Sequence, residues 1–256
     1  MASQRLKAFV FLLSVAIAAP LHAATDATYE ERMQAARHAL QHHHGHTVVT
    51  MFNAERIEYQ VANGEQSIGA ELQGWVGGDL NRFWFKLDAD YEREGKDIEE
   101  FELQALYSRA ISAFWNLQIG LRHDFEPSPE RTHLTLGVQG LAPYWLEIDS
   151  ALFINHKGDV SLRLEGEYDW RLSQRWLLQP RIELNAAVSS DRDLDLGKGL
   201  RDSAIGLRLR YQVTPQFTPY FGIEQVRSHG ATASRLRRDD QPYRATRLVA
   251  GLHFWL

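Results

Sequence analysis

The chain has no cysteine among its 256 residues. That excludes disulfide scaffolds, thiolate zinc sites, iron–sulfur clusters and cysteine nucleophiles. Methionine is nearly as scarce, at three, so thioether ligands are few. Positive charge is not in excess: 28 Lys+Arg stand against 33 Asp+Glu, a formal net charge of −5. A nucleic-acid partner would need a basic face, and this balance gives no case for one. Only one long apolar run exists, at the extreme N-terminus, and charged residues make up 24% of the chain. A bundle of membrane helices is therefore excluded. These totals would describe a soluble protein, but the order of the residues does not.

Arg5 and Lys7 precede an apolar stretch from Ala8 to Ala19, followed by Pro20-Leu21-His22-Ala23. A basic start, a short apolar core and a small residue at the exit describe a secretory signal peptide, with cleavage expected after Ala23. The run is too short to span a bilayer comfortably. Residues 1–23 are read as signal, 24–54 as an exported leader and 55–256 as the main domain.

The leader contains a capping-box pattern, Thr28-Tyr29-Glu30-Glu31, and then the helix-forming MQAARHALQ, with Gly45 as a stop. His38, His42, His43, His44 and His46 cluster at its end. A helix would put His38 and His42 on one face, and the other three lie where it frays. Neutral imidazole suits Cu(II), Ni(II) and Zn(II), with Cu(II) highest in affinity. These five histidines are the candidate metal ligands. The alternative is a solvated polar linker.

From Glu55 onward the period is two. In Val160 to Leu172, Val160, Leu162, Leu164, Gly166, Tyr168, Trp170 and Leu172 share one face, and Arg163, Glu165, Glu167, Asp169 and Arg171 the other. Such alternation means a strand with one apolar and one charged face. Similar segments are Glu55–Ala62, Ser67–Gly77, Arg82–Tyr91, Ile98–Ser108, Trp115–Phe125, Thr132–Ala142, Tyr144–Asn155, Leu178–Val188, Ile205–Val213, Phe217–Arg227 and Thr246–Leu256. Twelve segments of this length, with turn residues between them, predict an all-β fold: an antiparallel transmembrane β-barrel behind a short helical, His-rich leader.

The connections and aromatics agree. Links from even to odd segments are short, while the two longest links run from odd to even. Short periplasmic turns and longer outer loops place both termini in the periplasm. All seven tryptophans fall near the short-turn ends of their segments, as in an aromatic belt. The inward faces mix signs. Asp88, Asp90, Asp124, Glu147, Asp149, Glu165 and Glu167 are candidates for a cation path; the plainer reading is that these groups pair with the inward arginines and fill a narrow lumen.

The runs Gly74-Trp75-Val76-Gly77-Gly78-Asp79-Leu80-Asn81-Arg82, Glu102 through Ala110, Gly120-Leu121-Arg122-His123-Asp124-Phe125, Leu134 through Trp145, Leu178-Gln179-Pro180-Arg181 and Gly206 through Tyr211 occur in this order. Together they resemble the copper resistance protein B family, over about Glu55 to Leu256. The resemblance implies copper tolerance, an outer-membrane barrel, copper ions as cargo and a periplasmic leader rich in Met and His. It leaves periplasmic copper-handling proteins as partners. This leader departs from the pattern, with the histidines but only Met33 and Met51. Imidazole favours Cu(II) and thioether Cu(I). The C-terminus, Phe254-Trp255-Leu256, ends in Leu where such barrels commonly end in Phe.

Three rivals are a small-solute pore, a structural outer-membrane barrel that only anchors a copper-binding leader and transports nothing, and a lipid-face esterase. For the esterase, His123 faces lipid by register and its nearest outward serine, Ser150, is two strands away, too far for a hydrogen-bonded pair. His253 faces inward. The sequence is read as a non-enzyme.

Overall fold

The computed structural model describes residues 31–36, 47–187 and 198–256. The chain forms two compact units, Met1–His46 and Thr47–Leu256. In the first, residues 31–36 form a helical segment, α1, whose side chains are all exposed. The expected signal segment, the expected capping residue Thr28 and His38, His42, His43, His44 and His46 lie outside the described residues.

The second unit is a β-barrel. Its strands are β1 (Val49–Ala62), β2 (Glu65–Gly77), β3 (Asn81–Glu92), β4 (Asp97–Ala110), β5 (Trp115–Glu126), β6 (Arg131–Ala142), β7 (Leu146–Asn155), β8 (Val160–Tyr168), β9 (Trp170–Arg171), β10 (Trp176–Ala187), β11 (Gly199–Tyr211), β12 (Phe217–Ser228) and β13 (Arg244–Trp255). β8 and β9 are one strand interrupted at Asp169, and both pair with β10. That gives the twelve strands expected. Each pairs antiparallel with its neighbours, and β1 pairs with β13 to close the cylinder. Closure leaves no unpaired edge, which a bilayer requires.

The side chains are sorted inside out. Arg208, Glu102, Gln118 and Thr135 are each about 1% exposed, whereas Leu248 is 62% and Phe221 60% exposed. A water-soluble sandwich would do the reverse. Here the apolar face meets lipid and the polar face fills the interior. The links β2–β3, β4–β5, β6–β7, β9–β10 and β11–β12 form one end, the turn rim. The other links form the loop rim, which carries helix α2 (Gly230–Arg238). The loop rim is not long throughout: β1 and β2 are joined by Asn63-Gly64 alone. Both residues have positive φ, 54° and 95°, the backbone of a primed hairpin turn.

Half of the strands begin one or two residues before the expected position, and β11 begins six before it, at Gly199 instead of Ile205. Two further starts have a local cause. β1 begins at Val49, not Glu55, because a bulge at Glu55 interrupts the alternation. β7 begins at Leu146, not Tyr144. Pro143 cannot donate to the ladder, and Tyr144 and Trp145 both have left-handed backbone, φ 67° and 65°. That turn leaves both rings highly exposed at the turn rim, beside the lipid-facing Trp170 and Trp176. Trp75 and Trp84 instead point inward. Trp84 Nε1 donates to Gln73 at 2.9 Å, and the Arg82 guanidinium lies 4.3 Å from the Trp75 ring centre.

Gly120 of β5 marks a close strand approach. A Cβ there would sit 2.0 Å from the Ala105 carbonyl oxygen and 2.8 Å from the Leu106 Cα. Both are backbone atoms that cannot swing aside. Gly120→Ala is expected to cost about 1–3 kcal/mol by overpacking. It should lower the temperature at which the heat-modifiable folded band disappears on electrophoresis; an unchanged temperature would contradict this packing.

Candidate functional site

The site begins with one extra residue. Ala54 faces Leu72 while Arg56 faces Glu71, and on the other side Ala54 faces Phe254 while Ile57 faces Leu252. Glu55 is thus a β-bulge against both neighbours. A bulge re-aims side chains, and this one turns two consecutive charges, Glu55 and Arg56, into the lumen. Glu55 accepts hydrogen bonds from Gln73 and Asn53. Arg56 pairs with Glu71 and, at 2.6 Å, with Glu167. His253 of β13 lies beside the bulge, its Nδ1 3.3 Å from the Glu55 carbonyl oxygen. A carbonyl only accepts, so Nδ1 carries the proton and Nε2 keeps its lone pair.

A cavity of about 400 Å³ occupies the turn-rim half of the lumen. Its walls carry Glu55, Glu71, Asp88, Glu147, Asp149, Glu165 and Glu167, against only Lys86 and Arg163. The strand register packs these acids opposite one another: Glu71 faces Asp88, Glu147 faces Glu167, and Asp149 faces Glu165. Like charges directly opposite destabilise a sheet, so cations must offset them. Lys86 pairs with Asp149. Arg181 reaches Glu165 at 2.8 Å, Glu167 at 3.0 Å and Glu183 at 3.1 Å. Glu55 and Glu147 are left without a salt-bridge partner among the described residues.

A second cavity, of about 80 Å³, lies toward the loop rim and is lined by Arg122, Asp124, Arg131, His133 and Asn155 among others. Phe153 and Arg163 line both cavities, so they form the partition between them. Phe153 is 2% exposed, with the Arg122 and Arg163 guanidinium carbons 4.4 and 5.7 Å from its ring centre. Arg163 is held in turn by Glu102 at 2.9 Å and Asp88 at 3.4 Å. Cations over an aromatic face in a desolvated setting form a firm contact.

The structure therefore brings Asp88, Glu147, Asp149, Glu165 and Glu167 together around the larger cavity. Asp124 lines the smaller one and binds Arg122 at 2.6 Å. Asp90 lies 4.0 Å from Arg247 and lines neither cavity. Three features escaped the sequence reading: Glu55, Glu71 and the Phe153 partition. Among the described residues no group of three His, Asp or Glu side chains is arranged to hold a metal ion. His123 does face outward, but its Nδ1 meets Thr132 Oγ1 at 2.8 Å and no serine. A Ser–His pair does occur elsewhere, Ser203 Oγ to His229 Nε2 at 2.8 Å. No carboxylate meets the other nitrogen of His229 among the described residues.

Residues 48–256 match the family model described as copper resistance protein B precursor (CopB). The chain belongs to the copper resistance protein B family. The copper resistance protein B homolog of Pseudomonas syringae pv. tomato is 39% identical over 212 residues, covering 83% of this chain and 71% of that protein. The copper resistance protein B of Escherichia coli is 34% identical over 201 residues, covering 78% and 67%. These relatives are named for copper resistance, not for an enzyme activity. Among solved structures, the NanC porin superposes with a TM-score of 0.53 at 13% identity, covering 80% of this chain and 99% of its own. That likeness concerns the fold, and it agrees with an outer-membrane barrel for this member of the copper resistance protein B family.

Proposed function

We propose that this chain binds copper ions as cargo at the outer membrane, capturing them at its histidine-bearing leader and accepting them into the acid-lined cavity. The turn rim and both termini then face the periplasm, where copper-handling proteins can deliver or receive the ion. His38, His42, His43, His44 and His46 are the capture ligands. Glu55 and Glu147 are the lumen contacts, because they are the cavity-wall carboxylates without a salt-bridge partner among the described residues. The observation that carries the reading is the excess of negative charge: seven carboxylates line the cavity against Lys86 and Arg163, with Arg56 and Arg181 pairing to some of them from outside its lining, in a chain of a copper resistance family. A divalent ion would relieve the like-charge pairs that the register enforces.

The test is Cu(II) titration of the refolded full-length chain. Changing the five histidines to alanine is expected to remove the tightest binding step. Glu55→Gln with Glu147→Gln should remove only a weaker step. If neither variant loses a step, capture lies elsewhere. If the unmodified chain binds no copper, the proposal fails and the small-solute pore becomes the better reading.

A further inference from the structure

We infer that the loop rim carries a binding site for a phosphorylated glycolipid of the lipid A class, built on the outer face by Arg227 and Arg244 with Arg237 of α2 beside them. The cross-strand register makes the argument. Arg227 of β12 lies directly opposite Arg244 of β13, and both side chains are exposed. They stand on the outward face: along β12 it continues through Gln225 to Ile223, and along β13 through Thr246 to Leu248. Like charges directly opposite are destabilising in a sheet unless something of opposite charge lies between them. Among the described residues, none of these three arginines is in a salt bridge with a carboxylate. Asp239 and Asp240 follow α2 and pair with none of them.

The surroundings shape a place for an anion. Tyr243 precedes Arg244, and the Arg237 guanidinium carbon lies 4.2 Å and that of Arg244 5.9 Å from its ring centre. One ring thus orders arginines from the helix and from the strand. Ser203 of β11 faces Arg227 at the same level, its hydroxyl engaged with His229 Nε2 at 2.8 Å. Below the row come a polar step and then the exposed side chains of Ile223 and Leu248. By strand rise these begin about 13 Å from the arginines. Guanidinium forks above an apolar wall match a ligand with phosphates at the interface and acyl chains below it. Arginine binds phosphate bidentately. A free inorganic phosphate would use the arginines but gain nothing from the wall.

The choice of lipid A rests on the loop rim facing outward, the orientation given under Proposed function; the phosphate site itself does not. The experiment measures binding of bisphosphorylated lipid A to the full-length chain in neutral detergent with a chelator present, by native mass spectrometry. The same lipid without its phosphates, phosphatidylglycerol and inorganic phosphate are the comparison ligands. Arg227→Gln with Arg244→Gln is expected to weaken lipid A binding by at least about tenfold, the loss of one or more charge-assisted contacts. Arg244→Glu is the second variant. It places a carboxylate opposite Arg227, so it should raise thermal stability in lipid-free detergent while abolishing binding. Equal binding by the variants, or by the dephosphorylated lipid, would overturn the site. Equal affinity for phosphatidylglycerol or inorganic phosphate would overturn the assignment to lipid A. Copper titration of the same variants is expected to be unchanged, so a failure here is separable from a failure of the copper reading.

Discussion

With Phe153 and Arg163 both changed to alanine, the barrel is expected to pass ions across a planar bilayer where the unmodified chain stays closed or nearly so. The two lumen cavities, about 400 and 80 Å³, share these side chains as their common wall. Removing both joins the cavities into one path. The current should also be selective. Arg163 is one of only two cations facing the larger cavity, so its loss leaves a wall of carboxylates that attracts cations and repels anions. A reversal potential under a salt gradient reads this directly and should move toward the cation value. The single change Phe153→Ala, which keeps Arg163 and its charge, should open a smaller step with weaker selectivity. Truncating a buried phenylalanine costs about 3–5 kcal/mol, so each variant must first show its heat-modifiable folded form. Folded variants that conduct no better than the parent would show that the lumen is blocked elsewhere.

The second large effect concerns stability. Arg208 is buried in the lumen at 2.6 Å from Glu58 and 2.9 Å from Glu224, and the Tyr220 hydroxyl donates to Glu58 at 2.9 Å. These groups join β11, β1 and β12, strands on both sides of the closing seam. Arg208→Met would leave two buried carboxylates facing each other with no cation. Breaking a buried pair from one side costs about 3–5 kcal/mol, whereas replacing all charged partners together is often close to neutral. Arg208→Met should therefore lower the urea midpoint for unfolding in detergent. The triple variant Arg208→Met, Glu58→Gln and Glu224→Gln should recover much of it. A triple variant as unstable as the single one would mean that the arginine acts by filling space, not by charge.

The architecture was legible because a barrel wall writes itself into sequence locally. Each strand alternates between two solvents, lipid and the polar lumen, and the short turns between strands carry their own residue signals. Twelve segments, the tryptophans at one rim and the inward identity of Asp88, Glu147, Asp149, Glu165 and Glu167 all follow from that local rule. What was hidden depends on the cylinder as a whole. Arg163 meets Glu102 from β8 to β4, and Arg208 meets Glu58 from β11 to β1; no spacing along the chain encodes contacts across a lumen. Phe153 was missed for a related reason. A lone aromatic at an inward position looks like an irregularity until its charged neighbours from other strands surround it. The first six residues of β1 were missed because the bulge shifts the phase of the alternation, and a period-two reading stops where the phase shifts. His38 to His46 remain a matter of sequence, since they lie outside the described residues.

That bulge has a consequence for how the barrel tolerates change. Before it, Phe52 and Ala54 are on the lipid side of β1; after it, Ile57 and Tyr59 are. Residue 55 is supernumerary to both ladders, so a chain lacking it would keep every other β1 residue on its present side and in unbroken alternation. Deletion elsewhere in β1, Arg56 apart, would invert part of the strand and bring polar side chains to the lipid side. Position 55 thus behaves like a silent letter in the frame of the strand: the wall reads the same without it, and only the chemistry of the lumen notices whether it is there.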